Sequence, residues 1–354
     1  MTAMQRTSPV PSAPGVVARG RGRRRRREGT IIVVLAVIAL LLVGASLAVG
    51  AYSISLPDLV STILGHGSAK DSFIVGQLRL PRVAMGVLVG VAFGLAGALF
   101  QSLLGNPLAS PDIIGITGGA SAAAVSAILI LGLDGIAVSG FALGGALIVA
   151  ATISALSWRS GLTGYRFVLI GIGIAFVVQA ILGYLLTRAD VRDAQGAFVW
   201  LVGSLSSSRW NEILLTAASL VVLLPIVAVL APRLRIAQLG DQAAASLGLG
   251  VQRSRIAVIA VAVTLAAVGT AAAGPIAFVA FVSAPIARRL VRTGGLALVP
   301  SALVGVVIVL AADFAAGHAL PGAVQVPVGV ITGVIGAPYL LWLLATTNRS
   351  REAS

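Results

Sequence analysis

Side chains able to do chemistry are scarce in this sequence. The chain has no cysteine and two histidines, His66 and His318, so neither a thiolate site nor a histidine-rich metal site is available. Its single lysine, Lys70, is not followed by Ser or Thr, which excludes a phosphate-binding loop ending in Gly-Lys-Ser/Thr. We therefore expect no catalytic residue, no metal site and no directly bound cofactor. Any use of ATP and magnesium must come from a partner protein.

The composition departs strongly from that of a soluble domain. Of the 354 residues, 58% are hydrophobic and 10% are charged, and the mean hydropathy is +1.04. A soluble domain has roughly 45–50% apolar and about 25% charged residues. No single soluble core could bury so much apolar surface. This excludes soluble enzymes, disordered proteins and fibrous proteins, and it indicates an integral membrane protein.

The apolar residues form long charge-free windows that predict membrane helices. They do not alternate with period two, so helices are favoured over a barrel, and each crossing needs about 20 residues. Gly274-Pro275 interrupts one long window, which is therefore predicted to hold two short crossings, ten helices in all. The windows are 29–57, 83–111, 113–133, 135–158, 167–187, 213–232, 256–287, 293–312 and 314–348.

Basic residues favour ten helices over nine. The tail with Arg6, Arg19, Arg21 and the run Arg23 to Arg27 fixes the N-terminus in the cytoplasm. With ten helices, 19 of the 25 basic residues lie inside, whereas nine would place the cluster 288–292 outside. We expect both termini in the cytoplasm. The predicted layout is a tail (1–29), a membrane domain (30–348) and a second tail (349–354).

The arginine-rich tail has two interpretations. A basic run can bind nucleic acid. This one borders the apolar segment Thr30–Ala51, so an anchor at anionic lipid is favoured and no nucleic-acid partner is expected. The apolar run is also longer than the core of a signal peptide, about 7–15 residues, so the first helix is expected to stay.

Helix breaks and one polar loop interrupt the apolar pattern. The stretch 106–111, with Pro107 and Pro111, ends the second span, and later breaks are Gly274-Pro275, Ala284-Pro285 and Pro327. Paired breaks in two halves are typical of an internal repeat around a transport path. Within the polar stretch 233–255, Asp241 to Leu247 could form a short docking helix bounded by Gly240 and Gly248. An ordinary cytoplasmic loop is the alternative.

Five motifs in order carry a resemblance to a known family. The motifs are LRLPR (78–82), GALFQSLLGNPLASPDIIGITGGA (97–120), LGDQAAASLG (239–248), GPIAFVAFVSAPIAR (274–288) and VPVGVITGVIGAP (326–338). With them, the chain from about residue 30 to 346 resembles the FecCD-type permease subunits of iron–siderophore and cobalamin ABC importers. The segments GLTGYRFVLIGIGIA (161–175) and VWLVGSL (199–205) look most like the ferric-enterobactin branch. The resemblance implies the type II ABC importer fold, all-α with an internal inverted repeat.

The resemblance also implies residue roles. Arg79 and Arg82 match outer-face arginines that dock a substrate-binding protein; an interfacial lipid anchor is the alternative. A helix that couples to the ATPase is matched by Gly240, Asp241, Ala244, Leu247 and Gly248. Breaks along the path and an acidic residue near the outer end of the ninth helix are matched by Asn106, Pro107, Gly274, Pro275 and Asp313.

Three positions depart from the family pattern. Ala284-Pro285-Ile286 stands where Pro-His usually precedes Ile-Ala-Arg, and Gly317 replaces an arginine that commonly follows the aspartate. Gln325 replaces a glutamate. One docking charge on the outer face is therefore expected to be lost, with His318 as a partial replacement.

The resemblance implies one permease subunit of a bacterial plasma-membrane importer for ferric siderophores. Its partners would be a second permease, identical or related, two ATPase subunits and an extracytoplasmic binding protein. A cobalamin or haem cargo is the alternative within the family. An ion-coupled transporter would need a buried carboxylate, for which Asp112 and Asp313 at span ends are the candidates. An intramembrane enzyme is disfavoured because no reactive constellation is present.

Overall fold

The fold was examined in a computed structural model, which describes residues 13–50, 52–112, 114–157, 164–292, 295–318 and 326–352. Within these ranges the chain forms helices and no β-strand. A π-helical segment, Ile74–Arg79, leads directly into the fourth helix. The helices are α1 (Ala13–Ala48), α2 (Leu56–Ile63), α3 (Ala69–Phe73), α4 (Leu80–Leu104), α5 (Ile116–Leu129), α6 (Gly135–Ser157), α7 (Gly164–Arg188), α8 (Val191–Val202), α9 (Trp210–Ala237), α10 (Asp241–Ser246), α11 (Val251–Ala273), α12 (Val279–Val291), α13 (Leu298–His318) and α14 (Val328–Glu352).

Ten of these helices correspond to the ten predicted crossings. Seven helical stretches in the described part are long and apolar enough to cross a membrane, and they belong to α1, α4, α6, α7, α9, α11 and α13. Two shorter apolar helices, Ile116–Leu129 and Val328–Leu343, lie in α5 and α14. The tenth is α12, which follows the break at Gly274-Pro275 and carries Arg288 and Arg289 in its last turn.

Contacts at one end of the bundle confirm the hairpin formed by α11 and α12. Arg27 Nε donates to the Leu290 carbonyl oxygen at 3.2 Å, so the basic end of α12 lies on the same side as the arginine run of α1. The Arg289 guanidinium stacks on the Trp342 ring of α14 at 4.3 Å. We call this side inner and the opposite side outer. The nine-helix alternative, which would put 288–292 outside, is wrong.

The helix α1 extends beyond its apolar part. It is helical from Ala13, so Arg23 to Arg27 lie on a continuation of the membrane helix. Arginine is a good helix former, and no proline separates the run from Thr30; the intervening Gly29 remains helical. The arginine side chains therefore project from a regular helix at the inner surface.

Small residues bring α4 and α13 into close contact at the centre of the bundle. A methyl group on Gly90 would lie 2.5 Å from Val306 Cα, and one on Gly94 would lie 3.0 Å from Ala302 Cα. Membrane helices associate through such close backbone approach. Large side chains such as Phe93, Leu99 and Phe100 are completely buried beside this contact.

The two halves of the chain repeat one arrangement in opposite senses. In the first half α4 runs from outer to inner, breaks, and is followed by the short α5; in the second, α11 runs from inner to outer, breaks, and is followed by the short α12. Both short helices begin after a residue in the left-handed conformation, Gly115 (φ 84°) and Phe278 (φ 66°). This is the inverted repeat that the paired breaks predicted.

Candidate transport path and docking surfaces

A cavity of about 660 Å³ lies between the two helix breaks. Residues of the inner break, Ser110 and Asp112, face it from one side, and Pro275 and Phe278 of the outer break face it from the other. Its walls are mainly apolar, with few hydrogen-bonding groups. The remaining lining residues are Thr117, Gly118, Ser121, Gln179, Leu182, Gly183, Leu186, Phe198, Leu201, Ala277, Phe281 and Leu340.

The inner break turns the chain and positions a carboxylate. Asn106 Oδ1 accepts from the Leu108 backbone N–H at 2.9 Å, which closes a turn after α4 ends at Gly105. Further along, Thr117 Oγ1 donates to Asp112 Oδ1 at 2.5 Å. Asn106 and Pro107 are exposed and do not line the cavity, whereas Asp112 does. The predicted break is thus present, and its cavity-facing residues lie a few positions later than those singled out.

The outer break is tied to two other elements by backbone hydrogen bonds. Gly274 has φ 72°, which permits α11 to end sharply. The Ser204 N–H donates to the Ala273 carbonyl at 2.8 Å, and the Gly329 N–H donates to the Gly203 carbonyl at 3.2 Å. The ends of α8 and α11 and the start of α14 therefore meet at one junction. Pro275, one residue on, lines the cavity.

Both outer arginines have partners within the chain. The Arg79 guanidinium donates to the carbonyls of Leu47 at 2.6 Å and Ala48 at 3.1 Å, and also to that of Tyr52, so it caps the end of α1. Arg82 Nε donates to both carboxylate oxygens of Asp313, at 2.8 and 3.0 Å. Both arginines lie on the outer side, at the start of α4, and each is partly exposed. Their docking role stays a prediction.

Of the three positions that depart from the family pattern, two lie in the part of the chain that the structure describes. Gly317 is exposed, and the neighbouring His318 contacts its own helix through Phe314, with Nδ1 2.7 Å from the carbonyl oxygen and the rings stacked at 4.4 Å. Ala284 and Pro285 are buried within α12. Gln325 lies outside the described residues. Nothing in the structure explains the Ala284 and Gly317 departures.

The polar inner loop does contain a short helix, α10. Gly240 (φ 95°) and Gly248 (φ 80°) bound it, both in conformations that favour glycine. Ala244 is completely buried against the bundle, and Asp241 Oδ1 accepts from Arg255 Nη2 at 2.7 Å, which ties α10 to α11. Leu247 remains 63% exposed.

The sequence interpretation missed two polar groups that the structure brings together. Asp112 of the inner break, Ser121 of α5 and Gln179 of α7 line one cavity, and the sequence singled out only Asp112, as a span-end carboxylate. At the inner end of α4, Arg288 Nη2 donates to Ser102 Oγ at 2.9 Å, and Gln101 Nε2 donates to the Phe281 carbonyl at 2.9 Å. Polar residues within apolar windows were the available signal for both groups.

Known proteins match this chain along most of its length. The ferric enterobactin transport system permease protein FepG of Escherichia coli K12 is 37% identical over 85% of this chain and 91% of its own. The Fe(3+)-citrate import system permease protein YfmE of Bacillus subtilis 168 is 38% identical over 90% and 96%. A solved metal-chelate type ABC transporter in an inward-facing conformation superposes with a TM-score of 0.80 and 26% identity, covering 90% of this chain and 99% of that one.

The resemblance seen in the motifs is thus confirmed by independent comparisons. The chain is a multi-pass membrane protein with the fold of an ABC importer permease. The model of the FecCD transport family matches residues 36–346, which includes both breaks, the cavity and α10. The chain belongs to the FecCD transport family.

Proposed function

We propose that this chain is a permease subunit of an ABC importer that carries ferric-siderophore complexes across the plasma membrane. The observation that carries the proposal is the cavity between the two helix breaks, in a chain whose relatives are permeases for ferric enterobactin and ferric citrate. Broken helices around a membrane cavity are typical of a transport path. The cargo undergoes no reaction there.

The path is completed by a second permease subunit. The cavity includes residues of α7 and α14, and both helices expose large apolar side chains, among them Phe176, Ile181 and Ile335. A bulky iron chelate needs a wider passage than the cavity of one subunit provides. The partner is a second copy of this chain or a related permease.

ATP is bound and hydrolysed by separate ATPase subunits that contact α10. The short helix has one free and one anchored face. Leu247 is exposed on the inner side, whereas Ala244 is buried against the bundle. Movement of the ATPase subunits would be transmitted to α9 and α11, which α10 joins. Magnesium and ATP stay with those subunits, and this chain binds no cofactor.

A substrate-binding protein docks on the outer face near Arg79 and Arg82. The positive charge of Arg79 is matched by carbonyl oxygens and not by a carboxylate, so it stays available to acidic side chains. Asp313 neutralises part of the charge of Arg82. We expect Arg79 to contribute more of the electrostatic attraction.

The inner side faces the cytoplasm, with both termini there. The arginine run 23–27 and the basic end of α12 lie together on that side, as the preference for positive cytoplasmic flanks requires. The protein would reside in a bacterial plasma membrane, since ABC importers need cytoplasmic ATP.

Uptake of radioactive iron tests this function. Cells lacking the chain would receive iron as a hydroxamate, a catecholate or a citrate complex, with labelled cobalamin as the control. We expect loss of uptake for one class of iron complex and recovery with the intact gene. Loss of cobalamin uptake alone would mean that the importer carries cobalamin, while its assignment as an ABC importer permease would stand. Normal uptake of every compound in the mutant would contradict the proposal.

A point variant tests the contact between α10 and the ATPase, whatever cargo the importer carries. Leu247→Asp places a charge on the exposed face of α10 and should abolish uptake and pull-down of the ATPase while the chain still reaches the membrane. Gln252→Asp adds the same charge on the same side, at the exposed second residue of α11, and should keep uptake within about twofold. Unchanged ATPase association in Leu247→Asp would rule out the coupling role of α10.

A further inference from the structure

The inner ends of α1 and α12 form a packed, two-helix corner. Arg27 Nε donates to the carbonyl of Leu290, one of the last carbonyls of α12, at 3.2 Å. One and two turns further into the membrane, Ile31 and Leu35 pack with Ala287 of α12. The corner is therefore held at the surface by a hydrogen bond and below it by apolar contacts.

Three arginines lie at the ends of the two helices that form this corner. Residues three and four apart share a helix face, so Arg24 and Arg27 lie on the face of α1 that also carries Ile31. Arg292 ends α12, two residues beyond Leu290, in a left-handed conformation (φ 52°), and its side chain is exposed. We call Arg24, Arg27 and Arg292 the inner basic corner.

The charges of the inner basic corner have no acidic partner in the part of the chain that the structure describes. The two ion pairs found there join Arg82 to Asp313 and Arg255 to Asp241, both remote from α1. Arg24 and Arg27 are exposed. Guanidinium groups without a carboxylate are suited to bind phosphate, which they contact through paired N–H groups.

The height of the corner matches a lipid headgroup. Thr30 begins the apolar part of α1, and the helix rises about 1.5 Å per residue, so the backbone at Arg27 and Arg24 lies about 5 and 9 Å beyond it. The headgroup layer is roughly 5–7 Å thick on each side of the hydrocarbon core. Long arginine side chains can place their charges throughout this layer.

The arginines of α1 also lie outside the part of the chain common to the family, whose model begins at residue 36. A tail that served only to set topology would not need a fixed contact with α12. Such a contact between two helices, flanked by three arginines that have no acidic partner among the described residues, is the arrangement of a lipid site.

We propose that the inner basic corner binds the phosphate of an anionic phospholipid from the inner leaflet. Arg24 and Arg27 of α1 hold the phosphate from one side and Arg292 of α12 from the other. The bound lipid bridges the two helices and stabilises their contact.

Lipid retention by the purified full-length chain tests the site. Native mass spectrometry would count phosphatidylglycerol and phosphatidylcholine molecules kept after release from nanodiscs that contain equal amounts of both. The triple variant Arg24→Gln, Arg27→Gln, Arg292→Gln should lose phosphatidylglycerol by about tenfold or more, because it removes all three charge-assisted contacts that the site offers to the phosphate. Phosphatidylcholine retention should not change.

Two matched variants distinguish a site from diffuse charge. Three exposed arginines on the same side but at α9 and α11, changed in Arg233→Gln, Arg235→Gln and Arg253→Gln, remove equal charge and should keep phosphatidylglycerol within about twofold. The pair Arg25→Gln, Arg26→Gln, on other faces of α1, should do the same. Equal losses in all variants, or no loss in the triple variant, would overturn the proposal. So would preferential binding of a short DNA duplex over lipid, lost in the same triple variant.

Discussion

At the scale of single residues, the ion pair of Arg82 and Asp313 shows how a charge on the outer side is accommodated. Asp313 is 6% exposed, and Arg82 Nε contacts both of its oxygens. The family pattern suggests a docking role for Arg82, yet the structure gives it a partner from α13. An arginine held this way joins α4 to α13 at their outer ends, whatever it contributes to docking.

Removal of one partner of this pair should be more harmful than removal of both. Asp313→Leu would leave the guanidinium of Arg82 without its carboxylate, and Arg82→Met would leave a buried carboxylate uncompensated, each destabilising by about 3 kcal/mol. The double variant should recover most of this loss. Thermal unfolding in detergent, followed by the fluorescence of the tryptophans, measures the effect. Additive losses in the double variant would show that the two residues act independently.

A separate measurement, the strength of association with the binding protein, tests how much the Arg82–Asp313 pair contributes to docking. If Arg79 contributes most of the attraction to the binding protein, Arg79→Gln should weaken association more than the double variant of Arg82 and Asp313. Association should also weaken with added salt, because exposed charges are screened. The two functions of the outer arginines can thus be distinguished.

At the scale of helices, α4 is positioned by glycines at which a methyl group would clash with α13. A methyl group on Gly94 would lie 3.0 Å from Ala302 Cα, whereas one on Gly144 of α6 meets nothing within 4 Å. Both glycines are inside helices, where alanine is intrinsically favoured by about 1 kcal/mol. Comparing an alanine substitution at Gly94 with one at Gly144 therefore distinguishes the effect of helix propensity from that of packing between helices.

Alanine should have opposite effects at these two glycines. Gly94→Ala forces α4 and α13 apart and should destabilise the protein by about 1–3 kcal/mol. Gly144→Ala should be neutral or raise the melting temperature, because only propensity changes. Thermal unfolding of both variants in one detergent provides the comparison. Equal stability of the two would mean that the α4–α13 contact yields easily to a methyl group.

The helices themselves were largely predictable, for a physical reason. Lipid permits only segments that satisfy their own backbone, so charge-free windows and basic flanks locate the crossings, including the hairpin at Gly274-Pro275. The short α10 between Gly240 and Gly248 was also predictable, since left-handed glycines bound it. What could not be predicted is which polar side chains meet across helices. Asp112 and Gln179 share a cavity through tertiary packing that no spacing along the chain reveals.

At the scale of the whole molecule, the two inverted halves place one break near each membrane surface and the cavity between them. The inner break contributes Asp112 and the outer break contributes Phe278, so a relative movement of the halves changes both walls together. A path that opens alternately to each side needs this kind of linkage between its two ends. The exposed apolar surface of α9, in contrast, takes no part in the cavity.

The absence of cysteine makes this alternation directly measurable. Gln179→Cys places a thiol in the cavity, and Val221→Cys places one on α9, where the valine is 71% exposed and lines no cavity. The thiolate is the nucleophile that attacks a water-soluble thiol reagent, and it forms in a hydrated cavity but not in lipid. We therefore expect Gln179→Cys to be labelled and Val221→Cys to remain unlabelled. In the transporter assembled with its ATPase, ATP and magnesium should change the labelling rate of Gln179→Cys by about tenfold. Labelling of both thiols at one rate, or a rate insensitive to ATP, would mean that the cavity is not part of the moving path.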